Sequence, residues 1–307
     1  MALLAATNGS SERPHVPVML REVCELIRPA ARALIVDATV GAGGYAQALL
    51  EATEARLIGI DRDPRAIETA TSRLAAYGGR VTLTQADFAD LERVIGEAEP
   101  GRAARADAIV ADLGMSSLAL DDPARGFSFR LDGPLDMRMD PGEPLRAYDI
   151  VNEEGEVELA RIIYEFGEER ASRRIARMIV AARRRHPIET TAELRAIVER
   201  AAGGRRSGKI HPATRTFQAL RIAVNHELES LAILLERGPM MLDAGGRMAI
   251  VAYHSLEDRA IKERFRALAR EGGFRLLTPK ALRPAPSETA SNPRARSARL
   301  RCIERSA

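Results

Sequence analysis

The sequence predicts an α/β protein, a mostly parallel sheet interrupted by a mostly helical insert. Three observations predict it. Short apolar runs alternate with helical patterns up to about residue 117. The strand pattern then stops and returns only near residue 247. Three of the early runs end in an aspartate, Asp37, Asp61 or Asp112. Unbroken apolar runs mark strands buried on both faces. Alternation of strand and helix at this spacing builds βαβ units and a parallel sheet.

In order, residues 18–27 read as a helix with Leu20, Val23, Cys24, Leu26 and Ile27 on one face. Residues 33–37 form a strand, Gly41-Ala-Gly-Gly44 turns the chain, and a helix runs to about Glu54. A second strand spans 56–60, and Pro64 opens a helix to about Tyr77, since proline suits the first helical position. A third strand covers 80–84, followed by Asp87-Phe88, and a fourth covers 108–111. Residues 118–150 are rich in Asp, Pro, Gly and Met without a period, and 155–202 read as helices alone. A basic loop reaches Pro212, and one long helix is expected from about Thr214 to Arg237. Strands return at 247–252, 274–277 and 298–303, with a helix at 256–271. The resulting plan is a flexible tail over 1–14, a sheet domain over 15–122 and 214–307, and a helical insert over 123–213.

Composition narrows the function classes. At 307 residues the chain can bury a full core without disulfide or metal. Its 46% hydrophobic and 29% charged residues exclude disorder throughout, collagen and coiled coil. No run reaches the roughly 18 apolar residues of a membrane helix. The start, MALLAATNGSSERP, lacks a basic region and reads as a frayed tail, not a signal peptide. The two cysteines, Cys24 and Cys302, have no partner spacing, which fits a reducing, cytoplasmic setting.

The net charge is only +3, but it is clustered. Lys280 and six arginines (Arg283, Arg294, Arg296, Arg299, Arg301 and Arg305) face only Glu288 and Glu304 in the last 28 residues. Arg205, Arg206, Lys209 and Arg215 stand together without an acid. Such patches on a nearly neutral chain suggest a polyanion met at defined sites. With three lysines in the whole chain, arginine abundance alone says little. From Asn292 to Arg301 cations alternate with small or apolar residues, which predicts an edge strand presenting Arg294, Arg296 and Arg299 to phosphate.

Gly41, Gly43 and Ala46 match G-x-G-x-x-G/A between a buried strand and a helix. That pattern gives a tight turn, a close backbone approach and a helix N-terminus aimed at a ligand. Alone it is weak, because NAD enzymes share it. Three strand ends add to it. Asp37 could hold the ammonium of a methionine moiety. Asp61, 20 residues after Gly41, could accept ribose hydroxyls. Asp87-Phe88 suits adenine. Together they describe an S-adenosylmethionine pocket, although Asp61-Arg-Asp-Pro64 could also be a mere N-cap before Pro64 and Phe88 mere core.

Several longer motifs carry a family resemblance. They are His15-Val-Pro-Val-Met-Leu20, Asp37-Ala-Thr-Val-Gly-Ala-Gly-Gly44, Asp61-Arg-Asp-Pro64, Asp112-Leu-Gly-Met-Ser-Ser117, Arg125-Gly-Phe-Ser-Phe129 and Gly133-Pro-Leu-Asp-Met-Arg-Met-Asp140. His211-Pro-Ala-Thr-Arg-Thr-Phe-Gln218, His254-Ser-Leu-Glu-Asp-Arg259 and Asn292-Pro-Arg-Ala-Arg-Ser297 continue the series. In this order, over about residues 15–305, they resemble the RsmH (MraW) family. The resemblance implies a Rossmann-like class I S-adenosylmethionine-dependent methyltransferase sheet. It also implies methylation of the exocyclic N4 of a cytosine in the decoding region of 16S rRNA. The expected partner is 16S rRNA within the small ribosomal subunit or its precursor, with a homodimer as a further expectation. Carried over by position, the cofactor contacts fall on Gly43, Gly44, Tyr45, Asp61, Phe88 and Asp112. The family usually has His at Tyr45 and Gln at Ala119, so a side-chain contact at 45 is in doubt and Ala119 is excluded.

A cytosine amine is a poor nucleophile, because its lone pair is delocalised into the ring. The site must position it and accept its proton or a hydrogen bond. Asp112 is the candidate catalytic residue, with Ser116, Ser117 and His254 behind it. His254-Ser-Leu-Glu-Asp also reads as Ser255 capping a helix with Asp258 at its third position. Phe127 and Phe129, between Arg125 and Arg130, read equally as a base-stacking platform or as a loop pinned to the core. Arg170, Arg173, Arg174 and Arg177 could line one helix face toward phosphate, or simply be solvated beside Glu168 and Glu169. The acids from Asp132 to Asp140 lack calcium-loop spacing and read as turn formers, so no metal is expected. An NAD(P)-dependent oxidoreductase is the rival reading, against which no Tyr-x-x-x-Lys dyad occurs. A ribosome-associated RNA-binding protein with a vestigial pocket is the other rival, against which Gly43, Gly44, Asp61 and Asp112 are intact.

Overall fold

The computed structural model describes residues 17–203 and 211–306. The expected tail 1–14, His15, and the basic Arg205, Arg206 and Lys209 lie outside the described residues. The elements run α1 (Leu20–Ile27), β1 (Leu34–Asp37), α2 (Gly44–Glu51), β2 (Arg56–Asp61), α3 (Pro64–Leu74), β3 (Val81–Gln85), α4 (Leu91–Ala98) and β4 (Ala106–Asp112). Then come α5 (Ser117–Asp121), α6 (Ala147–Glu153), α7 (Glu156–Glu165), α8 (Ser172–Arg183), α9 (Thr191–Ala201), α10 (Ala213–Asn225) and α11 (Glu227–Arg237). The chain closes with β5 (Leu242–Ala252), α12 (Ser255–Glu271), β6 (Phe274–Leu276), α13 (Pro286–Ser291) and β7 (Arg299–Arg305).

The seven strands form one sheet in the order β3-β2-β1-β4-β5-β7-β6. β1 to β5 pair in parallel, and β7 runs antiparallel to both β5 and β6. Period-two alternation explains the two cores. Leu34, Val36, Ile58 and Ile60 face α4, α11 and α12 on one side. Ile35 and Leu57 face α1, α2 and α3 on the other. β1 and β4 are neighbours where the strand order reverses, so a crevice opens beyond their carboxyl ends.

A third core contains no strand of the sheet; helices and the loop residues Phe127, Leu135, Met137 and Ile188 build it, from Ala119 to Val224. Its members lie outside 123–213 at both ends, because α10 buries Phe217, Leu220 and Val224 in it. The single helix expected from Thr214 to Arg237 is two. His226 takes a left-handed backbone (φ 50°) and breaks it into α10 and α11. Periodicity hid the break, since both segments keep apolar faces. Asn225 fastens the corner: its amide donates to the carbonyl of Met137, and its oxygen accepts from Met139 N–H.

The tail departs most from expectation. Pro293–Ser297 is a short 3-10 turn, and β7 lies inside the sheet between β5 and β6. Arg299 and Arg301 both reach the carboxylate of Asp258 at 2.7 Å, and Arg294 pairs with Asp121. These three brace the C-terminal segment; Arg296 remains exposed.

Candidate active site

A cavity opens at the carboxyl ends of β1, β2 and β4, where the sequence motifs converge. Gly43 makes the turn into α2 with a left-handed backbone (φ 79°), a conformation that favours glycine. It does not border the cavity. Gly44 does, and a Cβ there would stand 2.3 Å from a ring carbon of Pro17, so only glycine fits against that loop. Tyr45 borders the cavity but spends its hydroxyl on the carbonyl of Val18, which leaves the ring as packing. Phe88 packs its ring between the cavity and the α4 side of the core.

Asp61 closes β2 and lines the cavity. One oxygen accepts from Gly41 N–H and the other from Asp63 N–H, both at 2.9 Å. Thus the acid ties β2 to the glycine loop and keeps lone pairs for a ligand. Burial pushes its carboxyl up to about 6 against those two N–H groups. Asp87 is placed otherwise than expected. Its oxygens accept from Ala89 N–H and the Ser230 hydroxyl, with Arg62 at 3.4 Å, so it organises the turn behind Phe88 instead of meeting a ligand.

Asp37 is fully buried at the end of β1 and, unlike Asp61 and Asp112, does not border the cavity. One oxygen accepts from Thr39 N–H at 3.3 Å, and the other has no partner. Burial pushes it up to about 7, with repulsion from Asp112 and Asp61 adding to the effect. Asp112 ends β4, its own N–H donating to the Thr39 hydroxyl at 2.6 Å. Burial carries its carboxyl up to about 6, against hydrogen bonds from Tyr253 and Gly114 that favour the anion.

Tyr253 was not among the expected residues. It follows β5 and reaches Asp112 because Gly114 has no side chain; a Cβ there would lie 2.6 Å from the tyrosine ring. Its hydroxyl is pushed far up by burial and by Asp112, so it stays a donor. Glu227 and Glu257 also border this wall. Arg221 forks both oxygens of Glu227 at 2.7 and 2.8 Å. Glu257 accepts from Tyr253 N–H and His254 N–H, and His254 in turn accepts from Glu257 N–H at 3.4 Å. The cap of α12 is therefore His254, one residue before the expected Ser255, with Glu257 completing a capping box. Ser255 instead donates to Glu168. His254 Nε2 is buried without a hydrogen bond, 3.0 Å from Glu257 in an unaligned contact. Burial presses Glu257 upward, but His254 and Arg221 outweigh it and hold the carboxylate below its usual range. Glu227, His254 and Glu257 bring possible metal-ligand atoms within 4.8 Å of one another. The Arg221 fork already engages Glu227, and the capping box engages His254 and Glu257 with backbone N–H groups.

Ser116 borders the cavity and caps α5 by accepting from Leu118 N–H. Ala119 borders it with a methyl group alone. Phe127 is buried in the helical core, and Phe129 stacks on His211 at 4.8 Å, so both pin their loop. Arg125 is buried on Asp63 at 2.7 Å. From Asp132 to Asp140 the carboxylates cap N–H groups or pair with Arg138, as turn formers do.

The model of the MraW methylase family matches residues 12–306. The chain belongs to that family. Its relatives include the ribosomal RNA small subunit methyltransferase H of Syntrophobacter fumaroxidans, 48% identical over 95% of this chain and 96% of that one. The protein of the same name from Synechococcus elongatus is 48% identical over 99% and 98%. Among solved structures, an rRNA methylase from Streptococcus thermophilus aligns over 97% of this chain and all of that one, at 13% identity and a TM-score of 0.43. The membership accounts for the motif order. The cavity chemistry rests on the distances above.

Proposed function

We propose that the protein transfers a methyl group from S-adenosylmethionine to the exocyclic N4 of a cytosine in the decoding region of 16S rRNA. One observation carries the cofactor reading: Asp61 and Asp112 line the cavity with carboxyls that burial raises to about 6, and Asp37, next to the lining Ala38, keeps an oxygen without a partner. Desolvated acids await positive charge. S-adenosylmethionine brings two cations, its ammonium and its sulfonium. Bound there, it supplies an electrophilic methyl group. Asp61 would accept ribose hydroxyls, Phe88 would cover the adenine, and the buried Asp37 would attract the ammonium by its charge, without bordering the cavity itself. The match to the MraW methylase family over residues 12–306 disfavours the oxidoreductase reading.

Asp112 is the group to hold the cytosine amine and take its proton. Raised to about 6, it is ionised near neutral pH yet basic enough to accept. Tyr253 fixes its orientation. The relatives' name, ribosomal RNA small subunit methyltransferase, supports the RNA substrate. The helical unit, expected over 123–213, would meet that RNA. Arg173, Arg174, Arg184 and Arg185 are exposed on and after α8 with no acid within 4.0 Å among the described residues. The setting would be the cytoplasm. Among the described residues no helix is long and apolar enough to cross a membrane.

The test is direct. Purified protein, S-adenosylmethionine and small subunits from cells lacking the gene are combined, and the rRNA nucleosides are read by mass spectrometry. N4-methylcytidine should appear. Methylation of another base or atom would overturn the target, and no methylation would overturn the activity.

A further inference from the structure

The cavity is lined by two cations, and they are not alike. Arg62 is engaged: it donates to the Asn225 carbonyl and lies 3.4 Å from Asp87. Arg73, near the end of α3, has no acid within 4.0 Å and no hydrogen-bond acceptor among the described residues. It is held in place all the same. Its stem lies 3.4 Å from where a Cβ of Gly43 would sit, and its Nη1 lies 3.5 Å from that point on Gly44. The guanidinium thus lies along the glycine turn, where α2 begins without a side-chain cap on its first N–H groups.

We propose that Arg73 receives the carboxylate of the amino-acid portion of S-adenosylmethionine. The inference rests on the cofactor reading above and deepens it. That amino-acid portion is a zwitterion, so its subsite needs both signs of charge. Asp61 and Asp112, at the ends of β2 and β4, supply one. Arg73 supplies the other, at the glycine turn, with the α2 N-terminus aiding it. A guanidinium fits a carboxylate with two parallel hydrogen bonds. Tyr45 cannot substitute, because its hydroxyl is spent on Val18. Nothing in the motif pattern marks this residue: it lies on the helix after the second strand, 29 positions beyond Gly44.

Two ligands separate the effect from general damage. S-adenosylhomocysteine carries the carboxylate, and 5′-methylthioadenosine keeps the nucleoside and the sulfur without the amino-acid end. By calorimetry, Arg73→Gln should weaken S-adenosylhomocysteine binding by about ten- to a hundredfold, as loss of a charge-assisted hydrogen bond does. Binding of 5′-methylthioadenosine should stay at the wild-type value. Arg73→Lys should recover part of the loss. In turnover, KM for S-adenosylmethionine should rise while kcat at saturation holds. Equal S-adenosylhomocysteine affinity in wild type and Arg73→Gln would overturn the inference, and so would an equal loss for both ligands, which would mark Arg73 as a brace of the turn. A wild-type protein that binds neither ligand would take down the cofactor reading and this inference together.

Discussion

The two walls of the cavity are built differently. The wall of β1, β2 and α2 comes from short segments: the glycine turn, Asp61 and its two N–H partners lie within 23 residues of one another. The opposite wall gathers Asp112, Glu257 and Glu227, with Tyr253 hydrogen-bonded to Asp112, from three regions of the chain. The first wall is made by backbone turns: Asp61 on it accepts two backbone N–H groups, and the neighbouring buried Asp37 keeps an oxygen without a partner. The second is made by long-range packing, and Glu227 and Glu257 are already paired. The first is accordingly suited to bind a cation, and the second to orient a base beside it.

The largest expected effect falls where the walls meet. Asp112→Asn should lower single-turnover methylation at saturating cofactor by about a hundredfold or more, the range of general acid–base catalysis, while the Kd for S-adenosylmethionine changes far less. A collapse of binding with intact turnover would move Asp112 to the binding wall. Asp61→Ala should weaken cofactor binding by about ten- to a hundredfold in calorimetry, because a charge-assisted hydrogen bond is lost. RNA affinity should not follow it.

Arg301→Gln tests the bracing of the tail. It leaves the buried Asp258 with only Arg299, and chemical denaturation should show a loss of about 1–3 kcal/mol. The salt dependence of RNA binding should stay unchanged; a flatter salt slope would restore a phosphate role. Tyr253→Phe is subtler. It removes a hydrogen bond that favours the Asp112 anion, so the acid limb of the pH–rate profile should move to higher pH.

The smallest effect is on stability against pH. Asp37 at about 7, and Asp61 and Asp112 at about 6, are raised above an unfolded value of about 3.9. The unfolded chain releases these protons first. Their contribution is therefore whole below about pH 4 and lost as pH rises through 6 to 7. The ligand-free Tm should carry a downward component from pH 5 to 8, and Asp37→Asn should reduce it. Cofactor cations favour the anions, so the Tm gain on adding S-adenosylmethionine should be larger at pH 8 than at pH 5.

How much was legible follows the same division. The parallel strands, their terminal acids and the glycine turn could be read because backbone period and turn chemistry act within a few residues. Gly44, Tyr45, Asp61, Phe88 and Asp112 border one cavity, whereas Gly43 shapes the turn without facing it. Tyr253 could have been suspected as the residue after a returning strand, but its partner Asp112 lies 141 positions earlier. Arg73 carried no signal at all.

By itself, then, the sequence determined the α/β class, the family and the acids at the strand ends, since each is encoded by neighbours in the chain. Only the tertiary structure decided the break at His226, the cap at His254, the burial of Arg301 on Asp258 and the pinning of Phe129 by His211. The reason is physical. An arginine or phenylalanine has the same local pattern whether it faces water, a phosphate or a buried acid. Which of these it meets depends on the packing of distant segments, where leaving a buried charge unpaired costs far more than any local preference supplies.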